Sequence, residues 1–143
     1  VGRKLLILAR EVDLQNEFEE IQIQNLIPEA LREGSATDFL KRLSELDGIY
    51  QNIKDAQGSN EVLRYIGELS GDLQQDKGKL EVKLISVPAN SALGSLKGSD
   101  SIFEIYTESY GEQPIVIQGA GAGASVTARG VFGDILRLSE KKL

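Results

Sequence analysis

Apolar and polar positions change their spacing along the chain, and each change marks an element. The opening VGRKLLILAR holds an apolar run from Leu5 to Ala9 between cationic ends. A run apolar on all sides predicts a helix buried on most of its surface. A short buried strand has almost the same periodicity, but the Leu, Ala, Arg and Lys content favours helix. Ile21 and Ile23 alternate with Gln22 and Gln24, the period of a half-buried strand ending near Leu26 and Ile27 at Pro28. Pro28 to Leu31 reads as one helical turn with proline pre-set at its start, broken by Gly34.

The clearest helical period follows. Phe39, Leu40, Leu43, Leu46, Tyr50 and Ile53 recur at three- and four-residue spacing, with Lys41, Arg42, Glu45, Gln51, Lys54 and Asp55 on the other face. Ser35 with Asp38 three residues on is a variant of the capping box, so one helix is expected from Ser35 to Gly58, weakened in its middle by Gly48, which marks a kink or a close contact. Strand character then takes over at 62–66 (VLRYI) and at Leu80, Val82 and Leu84. The polar stretch from Ser70 to Gly78 between them predicts a hairpin with a long loop. Residues 88–98 predict a loop with one helical turn, 101–107 and 114–118 two further strands, and 122–143 a closing helix. Val126, Val131, Ile135 and Leu138 share a face of that helix, and Lys141 and Lys142 sit where its dipole favours cations. Helix, strand, long helix, four strands, helix is an α+β order, not a βαβ alternation.

At 143 residues and 41% hydrophobic side chains the chain predicts one domain with one core, and no linker or repeat divides it. With 16 Lys+Arg against 22 Asp+Glu the net charge is -6, which argues against a general grip on nucleic acid or an anionic membrane. No apolar run approaches the ~20 residues of a membrane span, and no secretory signal opens the chain. A soluble protein is expected, cytoplasmic, or plastid if the source is a plant. Cys, His, Met and Trp are absent. That excludes Ser-His-Asp and Cys-His hydrolases, zinc fingers and disulfides, and no metal site is expected. A chain that starts at Val1 and has no Met is expected to be part of something longer.

Gly119-Ala120-Gly121-Ala122-Gly123-Ala124, between a strand and a helix, is the sharpest local motif. Glycines there let a ligand approach the backbone, and a helix N-terminus offers N–H groups to an anion. The spacing satisfies G-x-G-x-x-A, but a dinucleotide fold needs a further strand and an acidic residue ~20 positions on, and the chain ends at Leu143. A tight turn whose small residues only allow packing fits the spacing slightly better. Arg3-Lys4 is the second feature. A lysine at the edge of an apolar run, partly desolvated, suits proton transfer near a carbonyl, although a lysine snorkelling to solvent is the commoner arrangement. The carboxylate pairs Glu19-Glu20 and Asp100 with Glu104 receive no role.

Three separated blocks then resemble one family: VGRKLLILARE at the start, VLRYIG at 62–67, and PIVIQGAGAGASVTARGVFGDILR at 114–137. In this order and spacing they resemble homoserine dehydrogenase, and the long helix followed by VLRY is more similar to the dehydrogenase half of the bifunctional aspartate kinase/homoserine dehydrogenase than to the short enzymes. The resemblance implies an oxidoreductase that interconverts L-aspartate 4-semialdehyde and L-homoserine with NADP or NAD, on the route to threonine and methionine. In the family's D-V-x-R-K helix the lysine exchanges the proton of the substrate oxygen, and Lys4 matches it. The matching aspartate would precede Val1. Gly123 is the best match to the cofactor-contacting glycine, with Gly121 beside it. Arg129 departs from the usual small residue after V-T-A.

The family fold implies a mixed β-sheet packed on helices, with the helix 124–143 returning to a Rossmann domain that lies outside this chain. It also implies that strands between about Leu80 and Gln118 build a homodimer or higher homo-oligomer. This piece alone is then expected to be inactive. A non-catalytic oligomerisation or ligand-binding domain of the same fold is the alternative. An autonomous phosphate binder built on Gly119 to Gly123 is a third reading.

Overall fold

The computed structural model describes residues 1–74 and 76–140. They form two compact units, Val1–Ala89 and Asn90–Leu143. The expectation of one undivided core is corrected: the buried cluster lies within the first unit, the apolar side chains after Ala89 stay largely exposed, and the two strands there pair with each other.

In the first unit, helix α1 (Gly2–Glu11) lies against a three-stranded mixed sheet. Strands β2 (Glu61–Ser70) and β3 (Lys79–Pro88) form a ten-residue antiparallel ladder, twice the length that the hydrophobic alternation marks, because backbone pairing continues through the polar ends. Strand β1 (Gln22–Ile23) runs parallel to β3 and is shorter than expected. Beyond it Gln24 extends the pairing by other means: its N–H donates to Val82 O at 2.8 Å, and its Oε1 accepts from Leu84 N–H at 2.8 Å. Leu80 and Val82 on β3 meet Leu5 and Ala9 on α1, with Leu14 and Ile21 completing the core.

Only one face of α1 is buried, at Gly2, Leu5 and Ala9, while Ile7 and Leu8 are exposed. The helix that was expected to be covered on most sides has a sheet on one side alone within its unit. It ends in a Schellman arrangement, in which Asp13 N–H donates to Arg10 O at 3.1 Å and Leu14 N–H to Ala9 O at 3.0 Å. Leu14 is thereby delivered into the core. The geometry puts Asp13 at φ 63, a left-handed position that glycine fills at lower cost.

Asn16, buried at 3% exposure, ties the end of the 71–78 loop to the segment that follows α1 through a reciprocal pair. Its Nδ2 donates to Gly78 O at 3.0 Å, and Gly78 N–H donates to its Oδ1 at 2.9 Å. Lys77 pairs with Glu20 beside it. On the sheet face away from α1, Glu68 and Glu81 stand directly opposite each other, a repulsive pairing. Lys83 bridges them, at 2.7 Å from Glu68 and 3.1 Å from Glu81, and Lys79 adds a contact of 3.0 Å to Glu81. Hydrogen bonds from Lys79 and then Lys83 hold the Glu81 carboxyl below the usual carboxylate range. Its contribution is therefore present above that range and lost as pH falls through the lowered value.

The long helix expected from Ser35 to Gly58 is two helices, α2 (Ala36–Lys41) and α3 (Asp47–Asp55), joined by a 3-10 turn (Leu43–Leu46). The Ser35 cap forms as expected, its Oγ accepting from Asp38 N–H at 3.2 Å. The break falls at Arg42, not at Gly48, around which the structure leaves open space. Arg42 forks onto Glu45 at 2.7 and 2.9 Å and donates to Ala30 O at 3.1 Å, which holds the chain to the 3-10 turn Glu29–Leu31. Tyr50 on α3 donates to Leu26 O at 2.6 Å.

In the second unit, residues 90–98 form a loop with one helical turn, closed by Ser95 N–H to Ser91 O at 2.9 Å. Strands β4 (Asp100–Ile105) and β5 (Ile115–Ala120) form a two-stranded antiparallel sheet, followed by helix α4 (Ala124–Glu140). No residue of β5 or α4 is buried. Lys141 and Lys142, expected at the C-terminal end of that helix, lie outside the described residues. Among the described residues, no helix is long and apolar enough to cross a membrane.

Replacing Asp13 with Gly should stabilise the first unit by roughly 0.5–1 kcal/mol by relieving the left-handed residue. Chemical denaturation measures this, and an unchanged or lower midpoint would contradict the capping account.

Candidate active site

Lys4 sits in the first turn of α1. The residues that bury this helix recur as Gly2, Leu5 and Ala9, so Lys4 is rotated off the packed face, and its side chain is exposed. Of the two arrangements that the sequence allows for this lysine, the structure shows the solvated one. Neither Arg3 nor Lys4 has a side-chain hydrogen bond or ion pair among the described residues, and the first turn of α1 carries no acid.

The same turn forms one wall of an open groove of ≈ 450 Å³. Phe18 and Ile23 line another side, and Tyr65 and Val82 supply the sheet side. Tyr65 is held in place by donating its hydroxyl to Gln24 O at 2.8 Å. The lining contains two cations and no carboxylate. A small anionic molecule with a carbonyl or hydroxyl oxygen matches that lining, with an ammonium available to give or take the proton on the oxygen. Phe18, Ile23 and Tyr65 were not candidates from sequence. Their apolar or aromatic character signals only burial until β1 and β2 are folded against the turn.

The glycine motif belongs to the second unit, and the structure divides its glycines by role. Gly119 lies inside β5 opposite Ser101, so the strand runs two residues past the expected end at Gln118. Gly121 is held by its own hairpin: its N–H donates to Ser99 O at 3.2 Å, and a Cβ there would fall on the Ser101 side chain. Gly123 differs. It has φ +130, no atom lies within 4 Å of where a Cβ would stand, and its carbonyl accepts the first bond of α4 from Thr127 N–H at 3.0 Å. This bare backbone at a helix start leaves room for a ligand to approach closely, whereas the Cα of Gly121 already faces a side chain.

The family model described as homoserine dehydrogenase matches residues 1–136. This chain belongs to the homoserine dehydrogenase family. Among similar proteins, the chloroplastic bifunctional aspartokinase/homoserine dehydrogenase of Daucus carota is 44% identical over 97% of this chain, which spans 15% of that protein. Bifunctional aspartokinase/homoserine dehydrogenase 1 of Zea mays, also chloroplastic, is 41% identical over 97% of the chain and likewise 15% of its own length. The homoserine dehydrogenase of Paracoccidioides brasiliensis is 40% identical over 99% of the chain and 38% of its own length. A crystal structure of a protein of unknown function from Candida auris superposes with a TM-score of 0.74 at 36% identity, covering 98% of this chain and 38% of that one. The chain thus spans between 15% and 38% of these homoserine dehydrogenase relatives, and both bifunctional and single-function members match it throughout.

If Gly121 is a packing glycine, Gly121→Ala should weaken the β4–β5 end by about 1–3 kcal/mol, the usual cost of overpacking. Amide exchange of the hairpin reads this, and adding Ser101→Gly should reverse it; protection unchanged in the single variant would refute the assignment.

Proposed function

We propose that the chain is the substrate-side and oligomerisation part of a homoserine dehydrogenase that interconverts L-aspartate 4-semialdehyde and L-homoserine with NADP or NAD, in threonine and methionine biosynthesis. The observation that carries this reading is Lys4, an ammonium with no ion-pair partner among the described residues, at the rim of a groove lined without carboxylates, within a stretch that matches the family. In the reducing direction Lys4 donates its proton to the carbonyl oxygen as that oxygen becomes a hydroxyl, and in the oxidising direction it takes the proton back. A nicotinamide cofactor, when bound, would supply or accept the hydride at the carbon. Gly123 gives the cofactor a backbone without a side chain to approach, and Gly121 keeps the turn in register.

A nucleotide-binding half would complete the site. The exposed Val131, Phe132, Ile135 and Leu138 of α4 are what such a half would cover. The β4–β5 sheet, exposing Phe103, Ile105, Val116 and Ile117, supports a homodimer or higher homo-oligomer, since two strands alone are marginal in water. We place the enzyme in the cytoplasm, or in the plastid for a plant source.

In the full-length protein, Lys4→Ala should lower kcat by about 10²–10⁴, the range for a lost general acid or base. Steady-state kinetics measure it, and near wild-type turnover would remove Lys4 from the mechanism. The 143 residues by themselves should show no homoserine oxidation in a nicotinamide absorbance assay. Measurable turnover would overturn the need for a nucleotide-binding half.

A further inference from the structure

Among the described residues Lys4 makes no side-chain hydrogen bond or ion pair, so the first α1 turn is what sets where its side chain leaves the helix. That turn rests on a single row of the sheet. Ile23 on β1, Val82 on β3 and Gly67 on β2 are direct neighbours across the strands, and Val82 is in the core with Leu5 and Ala9. Tyr65 and Leu69, two residues either side of Gly67, also pack against that core, so Gly67 leaves a notch between two large side chains. Val1 and Leu5 fill the notch: a Cβ on Gly67 would stand 3.0 Å from Val1 Cγ1 and 3.5 and 3.6 Å from the Leu5 methyls.

The helix repeats the device from its own side. Gly2 is buried, and a Cβ there would stand 3.1 Å from Ile23 Cδ1 and 3.4 Å from the Phe18 ring. Gly48, Gly130 and Gly133, the glycines inside the other helices, have nothing within 4 Å of the same position. Contact at 3.0–3.1 Å is tighter than ordinary packing, so an alanine at either glycine must lift the turn or displace its neighbour by a few tenths of an ångström.

We propose that Gly67 and Gly2 are positioning residues for the reaction, a paired notch that sets the height of the turn carrying Lys4 above the sheet. The inference rests on the assignment of Lys4 as the proton-transfer group. Proton transfer requires hydrogen-bond reach, and misplacement of about 1 Å can cost on the order of a hundredfold in rate, so a shift of a few tenths should cost about tenfold.

The test uses the full-length enzyme, with kcat, the KM for cofactor, and the melting temperature measured for each variant. Gly67→Ala and Gly2→Ala should each lower kcat by about tenfold with the cofactor KM unchanged. Val1→Ala removes the Cγ1 that the new methyl meets, and Ile23→Val removes the Cδ1. Accordingly Val1→Ala/Gly67→Ala should return to the kcat of Val1→Ala, and Gly2→Ala/Ile23→Val to that of Ile23→Val. On a Lys4→Ala background neither glycine substitution should lower the residual rate further. Wild-type kcat in both single alanine variants, no relief in the paired variants, or an undiminished loss on the Lys4→Ala background would each overturn the proposal. If Gly67→Ala does not fold, the Gly2→Ala pair decides. Wild-type turnover of Lys4→Ala itself would instead overturn the assignment of the lysine, and is seen without either glycine variant.

Discussion

The burial of Val82 between three elements is the constraint on which the first unit depends. This residue, 1% exposed, pairs in parallel with Ile23 and antiparallel with Gly67 while its side chain meets α1. Burying one such aliphatic side chain is worth about 1.5–3 kcal/mol, but its larger effect here is geometric. It fixes strand register, because a slip of one residue would turn Leu80, Val82 and Leu84 to the face where Glu81 and Lys83 now lie. Everything proposed for Lys4 follows from that register, since the row Ile23–Val82–Gly67 is what the first turn of α1 rests on.

The two faces of the sheet are held in different ways. Toward α1 the contacts are apolar and Asn16 secures the loop with two hydrogen bonds. On the other face, Lys83 separates the opposed carboxylates of Glu68 and Glu81. Such half-buried pairs at the surface of the sheet contribute modestly to stability, so the apolar side carries the fold while the charged side opposes register slips.

The second unit follows another logic. Its sheet has two strands, its helix has no buried residue, and its apolar side chains are on the surface. A hairpin of this size is marginal by itself in water, which is the physical basis for proposing that a second copy and a nucleotide-binding half cover the exposed faces of β4, β5 and α4. The glycine turn has the same divided character. Gly121 serves the internal packing of the hairpin, while Gly123 presents open backbone.

What the sequence determined by itself is the local periodicities: the α+β order, the Ser35 cap, the 3-10 turn after Pro28, the hairpin loop from Ser70 to Gly78, and the helix after the glycine motif. Each depends on residues within a turn or two of one another, and the three family blocks made Lys4 and Gly123 legible as candidates. The tertiary structure decided the rest. The helix break moved from Gly48 to Arg42 because a guanidinium reaches Ala30, twelve residues away. Strands β2 and β3 doubled in length because backbone pairing does not need apolar side chains. The glycines at 2 and 67 read as incidental in the chain, because the atoms that require them, Ile23 Cδ1 and Val1 Cγ1, lie on other elements, and only folding brings those within contact.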